Sequence, residues 1–295
     1  MHKLSQRQSI VLVVLTLVWG INWPIMKMGV QEFPALTFRA ISSSMGLPVL
    51  AMVLVVLKVP FAVPRANWRE LFWLAMFNMI LWHGLIILAV AALSSGRAAI
   101  LGYTMPIFSA MLGALVFHNK LSVRAWGGVA AAALGVVLLL WHELTALSGR
   151  PVGVVLALTA AAFWALGTHN LRRTRLTVPT LTIVFWMTAL TTLSMVLAAL
   201  VFDSGAWKAP SPTNWFGIFF NATLIYGFSQ AAWFYLARSL PPVASTLSVM
   251  FIPILGVLSG AWWLGEVLHW QDWAAVLLMA VAIASVLLPA RSGAR

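Results

Sequence analysis

Cysteine is absent from the 295 residues, which rules out a disulfide framework, a thiol nucleophile and a thiolate metal site. Charge is also scarce: 8% of residues are Asp, Glu, Lys or Arg, and six are acidic, against roughly one-quarter charged in soluble domains. The acids Glu32, Glu70, Glu143, Asp203, Glu266 and Asp272 all fall in loops or at expected helix ends. An ionised carboxylate at mid-bilayer is costly and is kept for function, so the chain lacks the usual carboxylate relay for proton or sodium coupling. His83 and His169 are the intramembrane groups left to titrate near neutral pH. The six histidines show no ligand spacing, so neither a metal, a cofactor nor an enzyme is expected.

Apolar residues make up 62% of the chain. A hydrocarbon core about 30 Å thick needs about 20 apolar residues per helical crossing. Runs of that length predict ten helices over 10–30, 34–57, 69–92, 97–117, 122–142, 151–171, 178–202, 214–237, 242–264 and 271–289. The runs are continuously apolar, whereas barrel strands alternate, so the expected fold class is an all-α membrane protein. The first run follows Lys3 and Arg7 as a signal peptide would, but no small-residue cleavage site follows, so it reads as a retained span.

A formal net charge of +12 would suggest nucleic acid in a soluble protein, but here the cations sort by side. With a cytoplasmic N-terminus, that side holds Lys3, Arg7, Lys58, Arg65, Arg69, Lys120, Arg124, Arg172, Arg173, Arg175, Arg238, Arg291 and Arg295. The other side holds Lys27, Arg39, Arg97, Arg150 and Lys208. Thirteen against five of the 18 Lys and Arg is a positive-inside bias that places both termini in the cytoplasm and removes the need for a polyanionic partner.

Shifting the sequence by 147 residues brings Asn67-Trp68 onto Asn214-Trp215, Pro106-Ile107 onto Pro253-Ile254, Gly113 onto Gly260 and Trp126 onto Trp273. Near the start of each half Trp19 meets Trp164 and Lys27 meets Arg172. The halves are read as 1–146 and 147–295, five helices each. An odd number of crossings per unit turns the second upside down, the inverted-repeat plan of secondary transporters, with a solute site near mid-membrane between the repeats. The loop His118-Asn119-Lys120 is basic and its partner from Gly265-Glu266 to Asp272 is acidic, in keeping with loops facing opposite compartments.

Trp19-Gly20 with Lys27, Pro34 to Arg39, Pro106, Pro253, Leu264-Gly265-Glu266 and Gln271 resemble the EamA type of the drug/metabolite transporter superfamily over essentially the whole chain. The run of Trp, His and Met is similar to YddG-type exporters of aromatic amino acids. The resemblance implies ten spans as two inverted five-helix repeats and export of a small molecule through the inner membrane. The first repeat departs from the pattern, ending in His118-Asn119 where the second has Gly265-Glu266.

Several polar and aromatic residues lie deep in the runs. Pro24 removes a backbone donor near Gly20; the freed carbonyls and Asn22 either face a wet cavity or sit in a packed kink with Trp23. Lys27 reads equally as a snorkelling anchor or a contact to a solute carboxylate. Pro106 and Pro253 break equivalent spans, as hinges or as static bends. His83 falls opposite Gln230, with Asn78 and Tyr226 before them; such groups glue helices or line a cavity. Tyr103, His169, Ser245 and Ser248 are weaker members of the set.

Of 16 tryptophans, Trp68, Trp126, Trp207, Trp215, Trp270 and Trp273 fit interfacial belts. Trp19, Trp164, Trp82, Trp186 and Trp233 lie deeper, where Trp19 and Trp164 are candidates to stack on an aromatic or cationic solute. Thirteen methionines offer adaptable walls. The small-residue runs 127–131 and 280–285 suit close helix packing, within the chain or in a homo-oligomer. The expected activity is export of amino acids, aromatic and other apolar ones, by alternating access. The alternative is a drug or nucleotide-sugar carrier of the same fold, against which stands the scarcity of cations near membrane depth, where the sequence offers only Lys27 and Arg39.

Overall fold

Every regular element in the computed structural model is helical, and it describes residues 5–116, 118, 122–145, 150–230, 232–233 and 242–287, the side chains of 242–250 and 286–287 excepted. Lys3, Asn119, Lys120, Leu121, Arg238, Leu240, Arg291 and Arg295 lie outside the described residues, as do the last turn expected of the eighth span and the side chains of Ser245 and Ser248.

The helices are α1 (Gln6–Val30), α2 (Ala35–Val56), α3 (Trp68–Ala75), α4 (Leu81–Ala92), α5 (Ser95–Gly102), α6 (Met105–Leu115), α7 (Val123–Thr145), α8 (Pro151–Arg172), α9 (Thr180–Phe202), α10 (Pro212–Phe220), α11 (Pro242–Leu264) and α12 (Trp270–Leu287). A π-helical stretch, Met76–Ile80, joins α3 to α4, and a second, Asn221–Ser229, follows α10. Grouped by the expected spans, the described residues supply helix to each of the ten, five in each of two repeats. Among the described residues, seven runs are long and apolar enough to cross a bilayer, and Phe251–Leu264 and Trp270–Ser285 are shorter apolar helices. Large apolar side chains such as Val13, Val55, Val137, Leu200 and Leu277 are exposed on the outside, as lipid contact requires.

Local sequence explains the boundaries. Ser5 and Gln8 form a capping box at the start of α1, and Ser211 and Asn214 form another at α10, each satisfying helix-end donors. Pro34 and Pro179 precede α2 and α9, and from them the repeats align as Pro34-Ala-Leu-Thr-Phe-Arg39 and Pro179-Thr-Leu-Thr-Ile-Val184. The equivalent threonines both tie down a loop. Thr37 donates from N and Oγ1 to Asp203 Oδ2 at 2.8 and 3.0 Å, and Thr182 donates from Oγ1 to the Pro60 carbonyl at 2.5 Å.

The repeats interlock rather than sit side by side: α1 and α5 pack on α11, α2 on α9 and the second π stretch, α4 on α8, and α7 on α12. The small-residue runs meet here. A Cβ on Gly128 would collide with Ser285 Oγ and come within 3.0 Å of the Ala282 carbonyl, whereas one on Gly127 would meet nothing within 4 Å. These runs therefore serve a contact inside the chain.

Polar contacts define two faces. On the face where α1 begins, Glu70 accepts from Thr174 Oγ1 at 2.6 Å and Arg175 N at 3.0 Å. On the far face, where α1 ends, the repeats are bolted together. Arg97 at the start of α5 donates from Nε to Asp272 Oδ1 at 2.7 Å, from Nη2 to Asp272 Oδ2 at 3.2 Å, and from Nη1 to Glu143. The Glu143 carboxylate also accepts from Arg150 N at 2.7 Å. Glu266 of the second repeat caps α5 of the first, accepting from Ser95 N at 2.6 Å, Ser95 Oγ at 2.9 Å and Gly96 N at 3.2 Å. Lys27 donates to the Val90 and Ala91 carbonyls at 3.0 and 2.9 Å, so it caps the C-terminus of α4. Glu70, Glu143, Asp203 and Asp272 thus sit at helix ends and Glu32 and Glu266 in loops, with Glu143 and Asp272 buried by pairing with Arg97.

Two stability changes follow. Asp272→Asn strips Arg97 of its two-pronged partner; with both groups buried, the expected loss is about 3 kcal/mol, read as a lower unfolding midpoint in detergent. Gly128→Val should lower that midpoint while Gly127→Val leaves it in place, since only the first wedges α7 off α12.

Candidate functional site

The polar residues expected at depth divide into groups, and one of them lies at mid-membrane between both repeats. His83 on α4 and Tyr226 in the second π stretch bring their rings to 5.5 Å. At 1.5 Å per residue, Asn22 and His83 sit about 12–14 Å from the far ends of α1 and α4, close to the middle of a hydrocarbon core. Beside them is a residue that the charge count assigns to the far side of the membrane. Arg39, on the second turn of α2, is 2% exposed. Its Nη1 donates to Asn221 Oδ1 at 3.4 Å and its Nη2 to Met26 Sδ at 3.1 Å. The guanidinium is within electrostatic reach of both His83 and Tyr226.

Among the described residues, several polar atoms of this region are buried without a partner: Arg39 Nε, His83 Nδ1, the Tyr226 hydroxyl, Asn22 Oδ1 and Ser229 Oγ. Asn22 lies one helical turn before Met26 on the same face of α1, so its free oxygen is on the side that meets Arg39. The cluster is closed to solvent in this conformation: Asn22 and His83 are 8% and 7% exposed and Tyr226 is fully buried. The turn at Asn22 to Pro24 therefore opens onto no water here. The reason is close packing, since Gly20 leaves room for Leu255 of α11, whose Cβ would be 2.5 Å from any Cβ at that position, and Pro24 stays within an unbroken α1.

Paired π stretches bound this cluster. Shifted by 147, Met76–Ile80 becomes 223–227, which lies within Asn221–Ser229. Such wide turns are rare and cluster at functional sites. They place His83 and Gln230 just after the irregular backbone in each repeat; Gln230 is half-buried, four residues beyond Tyr226. Gly46 on α2 admits the stretch closely, a Cβ there falling 2.5 Å from Tyr226 Cβ.

A second group lines the crossing of α5 and α11. Trp23 and Tyr103 meet edge to face at 6.1 Å, and Trp23 fills the space left by Gly102 and Gly256. Tyr103 and Thr104 interrupt the fourth span, and Pro106 lies in the first turn of α6. Pro253, its repeat partner, lies inside an uninterrupted α11. The two prolines are equivalent in sequence but break only one helix.

A third group joins helices. Asn78 Nδ2 donates to Thr168 Oγ1 at 3.3 Å, and His169 Nε2 pairs with the Ser109 carbonyl at 2.8 Å and its hydroxyl at 3.1 Å. Trp164 packs on Trp82 at 6.5 Å and Trp19 on Trp233 at 5.5 Å, repeat-related contacts of the first and eighth, and sixth and third, spans. Sequence reasoning put Arg39 near membrane depth without giving it a role in the site, and it missed Asn221. The available signal was the alignment of Arg39 on Val184, a charge in one repeat where the other has an apolar side chain.

Further hollows lie elsewhere among the described residues. An apolar groove of about 440 Å³ runs between α2 and α9, with Trp207 and Lys208 at its rim. A polar one of about 300 Å³ sits at the far face among Arg97, His142, Glu143, Arg150, Glu266 and His269.

Known proteins share this architecture. A crystal structure of a protein with 18% identity superposes with a TM-score of 0.67 over 97% of this chain and 99% of that one, which shows the fold alone. The uncharacterized transporter YoaV of Bacillus subtilis is 21% identical over 92% of both chains. The uncharacterized inner membrane transporter YedA of Escherichia coli K12 is 25% identical over 94% of this chain and 89% of its own. A Salmonella typhimurium protein named "Probable amino-acid metabolite efflux pump" is 25% identical over 94% of both chains. The EamA-like transporter family matches twice, over residues 7–141 and 151–288, one match in each repeat. With most of its length so matched, the chain belongs to the EamA-like transporter family.

Proposed function

We propose that this transporter exports amino acids, aromatic and other apolar ones, across the inner membrane by alternating access of its two repeats. One observation carries the reading: a cation, an imidazole, a phenol and an amide, each with an unpartnered buried atom, converge at mid-membrane where both repeats meet. Such groups suit the charged ends of a zwitterion, while nearby Trp19, Ile25, Phe220 and Ile225 suit an apolar side chain. The cluster includes π-helical backbone, the kind of irregularity that membrane proteins tolerate where it is buried in protein or lines a cavity. The Salmonella relative's name supports the substrate class. The positive-inside count supports cytoplasmic termini, so that the far face is the outer one.

In this reading the molecule stands closed at its far face, held by Arg97, Asp272 and Glu266. No carboxylate occurs at the depth of His83, since all six acids lie at span ends, and transport runs down the solute gradient without a proton relay. Purified protein in liposomes should release preloaded labelled phenylalanine or tryptophan faster than protein-free liposomes, and an imposed pH gradient should leave the rate unchanged. Release equal to that of empty vesicles for both solutes defeats the substrate assignment; a rate that follows the pH gradient defeats the uncoupled mechanism.

A further inference from the structure

Two buried arginines of this chain differ in how their charge is answered. Arg97 has carboxylates on both sides. Arg39 is more deeply buried, yet among the described residues no carboxylate pairs with it. Its partners are an amide oxygen at 3.4 Å and a thioether sulfur at 3.1 Å, and its Nε has none. An uncompensated buried charge costs several kcal/mol and is unfavourable unless something else answers it.

The protein's own acids are committed elsewhere. Asp203 holds Thr37, Glu70 holds Thr174 and Arg175, Glu266 caps α5, and Glu143 and Asp272 hold Arg97; Glu32 is exposed in the loop after α1. The architecture does not demand a cation at this position, because the equivalent residue of the inverted repeat is Val184, equally buried. A guanidinium fork takes a carboxylate through two parallel N–H donors, a geometry that neither an amide oxygen nor a sulfur reproduces. The Tyr226 hydroxyl is a further donor beside it, and among the described residues His83 Nδ1, on the ring packed against Tyr226, and Asn22 Oδ1 have no partner.

We propose that Arg39, assisted by the Tyr226 hydroxyl, is the subsite that takes the carboxylate of the transported solute, with the Asn22 oxygen and His83 facing the solute's opposite, donor-bearing end. That the solute is an amino acid rests on the preceding section; the carboxylate subsite stands on the geometry of Arg39. It makes Arg39 a specificity-determining residue: solutes with a free carboxylate are taken and their amides are refused.

The test uses 3-phenylpropionate and its amide as probes of the purified protein, with the ligand-induced rise in unfolding midpoint as readout, alongside release of labelled phenylalanine from liposomes. The wild-type protein should be stabilised by the acid and not by the amide. Arg39→Val, which copies the other repeat, should lose the response to the acid. Arg39→Lys keeps the charge without the fork and should need about tenfold more acid for the same shift; Tyr226→Phe should shift the same curve by a smaller factor. Equal response of the wild-type protein to acid and amide, or an undiminished response in Arg39→Val, overturns the proposal. Should Arg39→Val fail to purify as a monodisperse species, the Arg39→Lys titration decides: an unchanged curve overturns the subsite. A wild-type protein that binds the acid through Arg39 but releases no phenylalanine keeps the subsite and retires the amino-acid reading. Phenylalanine release that is equally fast in Arg39→Val does the reverse.

Discussion

A charge withdrawn from water needs an answering charge, and in a chain with six acids among 295 residues that requirement organises the whole far half of the molecule. Arg97 draws Asp272 across from the second repeat and Glu143 up from the end of α7. The pairing fixes where α5, α7 and α12 can stand relative to one another. Glu266 adds the same kind of constraint through helix-end donors instead of a side-chain cation. With these in place, α5 and α11 cross closely enough for Trp23 to pack against Gly102 and Gly256, and the mid-membrane cluster beneath is shut off from that side.

The two faces are not alike, although the repeats that build them are. Counterparts of the far-face groups at an offset of 147 are Ala125 for Asp272, Asn119 for Glu266 and Ala244 for Arg97. The sequence therefore supplies ionic closure at one face and not the equivalent residues at the other. Duplication provides the scaffold, and single-repeat substitutions such as Arg39 against Val184 provide the chemistry. The paired π stretches belong to the shared scaffold, whereas the cluster they frame draws its charge from one repeat only.

Much of the architecture was legible because lipid imposes a strict length on apolar runs: the expected span 242–264 coincides with α11, and 34–57 differs from α2 by one residue at each end. The small-residue runs were legible too, since close approach has a compositional signature. The site was harder to read. Asn78, His83 and His169 look alike in sequence, yet Asn78 and His169 engage Thr168 and Ser109 while His83 keeps a free nitrogen; only the three-dimensional neighbours separate them. Pro106 and Pro253 match in register, but Tyr103 and Thr104 already interrupt the chain before Pro106. The π stretches leave no sequence mark, because one extra residue in a turn alters no composition. Arg39 was legible as a cation near membrane depth, four residues into α2, but only its neighbours show that its length carries the guanidinium inward to Asn221 and Met26.

The Glu266 cap on α5 has a consequence for how the far face can part in the proposed cycle. The carboxylate belongs to one repeat and the N–H groups of Ser95 and Gly96 to the other, so separating the repeats strips a helix of its terminator and leaves bare amides at the edge of the hydrocarbon. Those amides require water at once. The far-face mouth must therefore flood as it widens, making hydration of α5 part of the opening step itself and not an event that follows it.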